Sequence, residues 1–399
     1  MLSRLLCGLS SRSLNWRSNL RTWGSKSNQT LRQFVRKCST SAQSDFKPGY
    51  EKVVGRWLLL CSGVVYTIVI VGGITRLTES GLSIVDWRPV TGVLPPMSED
   101  EWEEEFSKYK MYPEFLRLKS KLTLEEFKTI FYWEWGHRIL ARGLGVLFAF
   151  PLAYFLNRDM IPPRLRIPLI LICGGIGAQG LLGWLMVKSG LMEPENNSQP
   201  RVSHYRLAAH LGAALGLYSA MLWYGVELIS TPGKIDTTMT LQTLRRVKAC
   251  SVLTLALAAT TIFSGALVAG RDAGLIYNSW PKMGDVWVPD EILELSPAWR
   301  NFFENDTTIQ FNHRNLGLLT LASATLLAGV GSRAGLHKGG RVVLFHVAGF
   351  AWMQVGLGIA TLVHYVPVYL GAMHQAGAVA VLSASLLLLK ELRRIRVPL

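Results

Sequence analysis

The chain has 399 residues, 49% of them hydrophobic and only 17% charged, with a mean hydropathy of +0.25. Soluble chains carry roughly a quarter charged residues, so this composition excludes an ordinary cytosolic enzyme and points to several membrane spans. The net charge of +15 is not the signature of a nucleic-acid partner, because its placement along the chain accounts for it in other ways.

Residues 1–44 hold eight basic side chains (Arg4, Arg12, Arg17, Arg21, Lys26, Arg32, Arg36 and Lys37) and no acid before Asp45. Serine-rich, cationic and interrupted too often by arginine to form the apolar stretch of a secretory signal, this segment reads as a mitochondrial transit peptide. The five cysteines suggest no metal or disulfide framework. Cys7 and Cys38 fall in the presequence, Cys61, Cys173 and Cys250 stand singly in apolar runs, and no CxxC occurs.

Eight apolar stretches follow, at 57–74, 139–156, 167–187, 207–229, 249–270, 316–330, 342–363 and 369–389. Most approach the ~20 residues that a helix needs to cross a bilayer. The sixth is short unless it reaches back to Phe311. Lipid satisfies no open strand edge, so the spans are helices and the fold is all-α and polytopic. The short segments 157–166, 230–248, 331–341 and the C-terminal tail hold 14 basic residues against three acids, whereas 271–311 holds three basic residues and seven acids. The positive-inside rule puts both termini in the matrix of an inner mitochondrial membrane and the long loops 75–135 and 271–311 on the other side. Within the first of these, Glu99 to Phe106 reads as a solvated amphipathic helix. Trp87, Trp280, Trp287 and Trp299 suit interfacial anchors.

The two halves echo one another. Arg76, Gly81, Trp87, Pro89 and Gly92 after the first stretch answer to Arg271, Gly274, Trp280, Pro281 and Gly284 after the fifth. Glu134-x-x-His137-Arg138 is matched by Gln310-x-x-His313-Arg314, and Gln179-x-x-Leu182-Gly183 by Gln354-x-x-Leu357-Gly358. Tyr205-x4-His210 is matched by Tyr369-x4-His374. Four spans per unit insert both units the same way up, which predicts two four-helix bundles, 50–230 and 245–395, related by a pseudo-twofold along the membrane normal.

Of eight histidines, only His137, His210, His313 and His374 recur between the halves, each expected within about two turns of a helix start near the outer face. Facing imidazoles with glycines nearby suit the clamping of a porphyrin iron. A lone interfacial histidine is more often a hydrogen-bonder, and His204, His337, His346 and His364, which lack counterparts, keep that reading. Glu134 shares a helix face with His137 and has Gln310 as its counterpart. It is a functional acid at bilayer depth or an acid complementing a helix N-terminus, and spacing alone leaves both open. Arg76, Arg138, Arg271 and Arg314 suit haem propionates or snorkelling surface positions.

The segments 72–96 (GGITRLTESGLSIVDWRPVTGVLPP), 132–145 (YWEWGHRILARGLG), 269–285 (AGRDAGLIYNSWPKMGD), 311–317 (FNHRNLG) and 373–378 (MHQAGA) together resemble the mitochondrial haem A synthase family over about residues 50–395. The resemblance implies an oxidoreductase that turns the C8 methyl of haem O into a formyl group for cytochrome c oxidase, by two successive oxidations and loss of water. It implies haem O between His137 and His210, Glu134 as the acid required for activity, and a haem b cofactor with His313 and His374 as iron ligands. An electron donor such as a ferredoxin system, haem O synthase, oxidase assembly factors and a second copy of the chain come with it as partners. Bacterial relatives often carry a cysteine pair in the first outer loop, and 75–135 has none, so no thiol role transfers. Two axial histidines leave no open iron position, so either one ligand leaves or oxidation proceeds by electron removal. The rival readings are a di-haem electron carrier of cytochrome b type and a transporter with parallel repeats.

The charge asymmetry makes a topological prediction. In mitoplasts, a tag after Leu399 should resist added protease while one inserted at 99–106 is digested; the opposite pattern would reverse the orientation.

Overall fold

The computed structural model describes residues 48–88, 92–193, 199–230, 235–236 and 239–396. The expected presequence 1–44, with Cys7 and Cys38, lies outside the described residues, as do Pro89 and Lys234.

Among the described residues, eight helices are long and apolar enough to cross a membrane. They are α1 (Glu51–Leu77), α2 (Leu124–Asn157), α3 (Pro163–Leu191), α4 (His204–Ile229), α5 (Leu241–Arg271), α6 (Asp306–Ser332), α7 (Lys338–Val363) and α8 (Val368–Arg394). The protein is an all-α polytopic membrane protein, as its composition requires. Among the described residues, a short strand pairing joins Ile235–Asp236 in parallel to Ile395–Arg396.

Helix starts are set by local chemistry that hydropathy does not register. The second apolar stretch begins at 139, yet α2 begins at Leu124, where Thr123 and Glu126 form a reciprocal capping box. Glu134 therefore lies ten residues inside α2, and the reading of it as an acid at a helix start is wrong. His137 likewise sits more than three turns in, deeper along its helix than expected. The short sixth stretch becomes a full 27-residue helix because Asn305 caps α6 through the Thr308 amide at 2.9 Å.

Packing follows one cyclic pattern twice. α1 packs on α2 and α4, and α3 on α2 and α4; α5 packs on α6 and α8, and α7 on α6 and α8. The quartets meet where α4 touches α5 and where α8 touches α1 and α4. Polar contacts tie this seam across the membrane: Tyr66 donates to the Ala376 carbonyl at 3.0 Å, Tyr218 and Ser383 share a 2.6 Å hydrogen bond, and Lys390 pairs with Glu227 at 2.7 Å.

The acidic helix of the first outer loop forms at Glu99–Tyr109, capped by Ser98, with Glu99, Asp100 and Glu101 in its first turn. It is less solvated than its charge suggests. Trp102, Phe106 and Tyr109, spaced four and three apart, are buried against Phe127 and Phe131 on the outer extension of α2. Trp102 meets Phe131 edge-on at 5.0 Å, and Phe106 stacks on Phe127 at 4.9 Å. Beside them, the buried Glu114 carboxyl accepts from the Tyr109 hydroxyl at 2.9 Å, and burial raises its pKa above the usual carboxylate range.

This aromatic cluster fixes the loop to α2. Trp102→Ala should cost about 3–5 kcal/mol of docking, seen as faster limited proteolysis within 92–123 while the spanning helices stay protected. Unchanged cleavage would show that the loop is held elsewhere.

Candidate functional site

Beyond Thr78, which closes α1, the chain turns back and lies against α2. The turn brings Ser83 and Ile84 to Glu134, which is only 2% exposed. Glu134 Oε2 accepts from Ser83 Oγ at 2.7 Å and from the Ile84 amide at 2.8 Å, while Oε1 accepts from Arg138 Nη2 at 2.5 Å. Arg138 also donates to the Ile84 carbonyl at 3.0 Å. A buried carboxylate persists only with such partners; breaking a buried pair costs about 3–5 kcal/mol.

The second half builds the same junction without the acid. Arg314 donates to the Tyr277 carbonyl at 2.7 Å and to Gln310 Oε1 at 3.2 Å, and Gln310 Nε2 donates to the Tyr277 carbonyl at 3.1 Å. Ile84 and Tyr277 thus occupy equivalent places. An amide suffices to hold the turn, so the carboxylate of Glu134 is an addition to the shared architecture.

The four repeated histidines are half-buried, and each ring edge faces a glycine on the preceding spanning helix. A Cβ built on Gly72 would lie 2.8 Å from His137 Cε1, and one on Gly183 3.2 Å from His210 Cε1. On Gly265 it would lie 3.0 Å from His313 Cε1, and on Gly358 2.8 Å from His374 Cε1. The glycines admit the imidazoles into the helix interfaces. The His313 and His374 rings stand 6.2 Å apart at 83°.

That spacing fits a metal between the second pair. An imidazole nitrogen lies about 2 Å from a bound first-row metal and its ring centre about 1 Å further, so two axial imidazoles have centres about 6 Å apart. The donor set, two neutral imidazoles from facing helices, is one that haem iron takes. His313 Nδ1 meets Ser264 Oγ at 2.8 Å, and His374 Nδ1 meets the Gln354 amide at 2.9 Å. His137 Nδ1 and His210 Nδ1 are buried without a hydrogen-bond partner.

All four arginines singled out in the sequence have protein partners. Arg76 pairs with Asp272 at 2.7 Å, joining the two halves, and Arg271 pairs with Asp306. Arg138 and Arg314 hold the turns just described. Among the described residues no carboxylate pairs with Arg314, and Arg138 and Arg142 line a recess of about 360 Å³ beneath the outer loop. Of the unrepeated histidines, His337 caps α7 through the Gly340 amide and lies 3.0 Å from Glu391. His204 lies beside the Tyr205 ring, with centroids 4.2 Å apart and planes tilted by 36°, while His346 and His364 are exposed.

Sequence reasoning missed Ser83, Ser264 and the histidine-facing Gly72 and Gly265. The last two carried a signal: Gly72, Gly81 and Trp87 are spaced as Gly265, Gly274 and Trp280 are. In that register Arg76 and Arg271 are offset by two positions, so matching them as equivalents was an error, in keeping with their different partners.

Fold and site together define a polytopic membrane protein with four half-buried histidines on its spanning helices, one of them on the same helix as a buried carboxylate. A family of cytochrome oxidase assembly proteins, COX15-CtaA, matches residues 55–386. Heme A synthase COX15 of Homo sapiens is 47% identical over 346 residues, covering 86% of this chain and 84% of the relative. That of Saccharomyces cerevisiae is 40% identical over 378 residues, covering 88% and 77%. A heme A synthase-mitochondrial ferredoxin fusion protein of Schizosaccharomyces pombe is 41% identical over 371 residues, covering 86% of this chain and 60% of the fusion. The chain belongs to the haem A synthase family.

The glycine contacts are testable. Gly358→Val should displace His374 and reduce haem co-purifying with the protein below half the wild-type level, measured as pyridine haemochrome. Gly349→Ala on the same helix, where a Cβ meets nothing within 4 Å, should leave it unchanged. Equal haem in both variants would remove the role given to Gly358.

Proposed function

We propose that this protein is a haem A synthase, oxidising the C8 methyl group of haem O to the formyl group of haem A for cytochrome c oxidase. The observation that carries the reading is the difference between two otherwise matching junctions: Glu134 in the first, Gln310 in the second. The first quartet, α1–α4, receives haem O between His137 and His210. The second, α5–α8, holds haem b through His313 and His374, and a pseudo-twofold along the membrane normal relates the two. The matching packing pattern and the matching glycine contacts support that division into halves.

Bound haem b supplies one-electron redox chemistry to the oxidation. This chain's own residues orient and protonate. The turn 81–86 and Arg138 hold Glu134 on the helix face it shares with His137, in a setting shielded from bulk water. Oε1 and Oε2 are the atoms able to take a proton as the methyl is oxidised, a role worth about 10²–10⁴-fold in rate. Arg314, which has no carboxylate partner among the described residues, is the arginine best placed for a propionate, while Arg138 is held by Glu134. Arg76 and Arg271 are committed to Asp272 and Asp306.

The protein works in a mitochondrial membrane, which we take to be the inner one, with both termini in the matrix. The fused ferredoxin of the Schizosaccharomyces pombe relative supports a ferredoxin as electron donor. Oxidase assembly factors, haem O synthase and a second copy of the chain remain the other expected partners. A cytochrome b type electron carrier would need no acid at Glu134, and this difference decides the test.

Glu134→Gln supplied with haem O and reductant should form haem A at least 100-fold more slowly than wild type while keeping its haem b, with products identified by mass. Wild-type turnover in this variant would end the catalytic assignment, and unchanged haem O in the wild type would end the synthase reading.

A further inference from the structure

The two histidine pairs differ in what stands behind their rings. Ser264 Oγ donates to the Thr261 carbonyl at 2.8 Å, so its lone pair faces His313 Nδ1 at 2.8 Å. The hydroxyl hydrogen is used on the carbonyl, and the serine is therefore the acceptor and Nδ1–H the donor. That places the proton on Nδ1 and leaves the Nε2 lone pair for a metal. Ser264 is itself buried, and its helix is anchored beside it by the Thr261–Thr320 hydroxyl pair at 2.9 Å.

In the register set by Gly72 and Gly265, the counterpart of Ser264 is Val71 and that of Thr261 is Ile68. Valine accepts no hydrogen bond. His137 Nδ1 is buried without a hydrogen-bond partner. Ligands whose second nitrogen is held are better oriented and more basic, and losing such a partner typically costs 10–100-fold in affinity.

We propose that Ser264 is a positioning residue that makes His313 a permanent haem ligand, and that Val71 keeps His137 a releasable one. The distinction deepens the proposed function and rests on it. A cofactor must stay, whereas a haem that arrives as substrate and departs as product needs a ligand that lets go. The side chain behind His313 or His137 sets which of the two that ligand becomes.

The experiment uses full-length protein and follows haem b transfer to excess apomyoglobin together with the haem b midpoint potential. Ser264→Ala should release haem b about tenfold faster and shift the potential upward, since a less electron-rich imidazole stabilises the oxidised iron less. Ser264→Thr, which keeps the hydroxyl, should restore both. Val71→Ser should slow release of the second haem after loading with haem O. Release within twofold of wild type and an unshifted potential in Ser264→Ala would overturn the proposal, as would failure of the threonine to rescue. His313→Ala separates the two levels: haem b lost there but not in Ser264→Ala defeats the positioning role alone. A full haem b complement in His313→Ala defeats the assignment beneath it.

Discussion

Everything in the site depends on how closely a helix can approach a histidine. Four imidazoles have to enter the interfaces between spanning helices, and at each a glycine supplies the room: Gly72, Gly183, Gly265 and Gly358. Inside a bilayer there is no hydrophobic drive between helices, so association rests on packing and on small residues that let backbones approach. Here that requirement and the placement of ligands are met by the same residues. Gly72 and Gly73 extend the principle to both halves at once. One faces His137, and the other faces Gln375, the neighbour of His374, which donates to the Val69 carbonyl at 2.8 Å. A single turn of α1 therefore meets a histidine of the first half and the neighbour of one in the second.

The second constraint is polar satisfaction. A carboxylate and a guanidinium near the membrane interior survive only if every strong donor and acceptor finds a partner. The turn after α1 provides them, using Ser83 and the Ile84 backbone to complete Glu134 and Arg138. In the second half Gln310 and Arg314 meet the same demand with a neutral amide. The shared solution explains why the two turns resemble each other, and the departure from it isolates the residue whose charge the fold itself does not require.

Much of this was legible in the amino-acid sequence. The eight spans follow from hydropathy, and the four histidines, Glu134 and its counterpart Gln310 follow from the internal repeat. Helix starts were not legible from hydropathy, because Thr123 and Asn305 act through capping hydrogen bonds on polar extensions beyond the apolar stretch. The acidic outer helix looked solvated since charge dominates its composition, although three aromatics on one face bury it against α2. Arg76 and Arg271 looked equivalent because both follow an apolar run. Their partners, Asp272 and Asp306, are set by three-dimensional proximity, which spacing of single residues does not encode. Ser264 was invisible for a related reason: a serine in an apolar helix gains meaning only from the imidazole and carbonyl on either side of it.

The account stands on two separate metal positions in one membrane domain. A density map of the purified protein with its haem resolved tests this most directly, recorded without and with added haem O. The account predicts one iron between His313 and His374 in both maps, and a second between His137 and His210 only after haem O is added. Iron held by other residues, or a single haem shared between the two pairs, would contradict it.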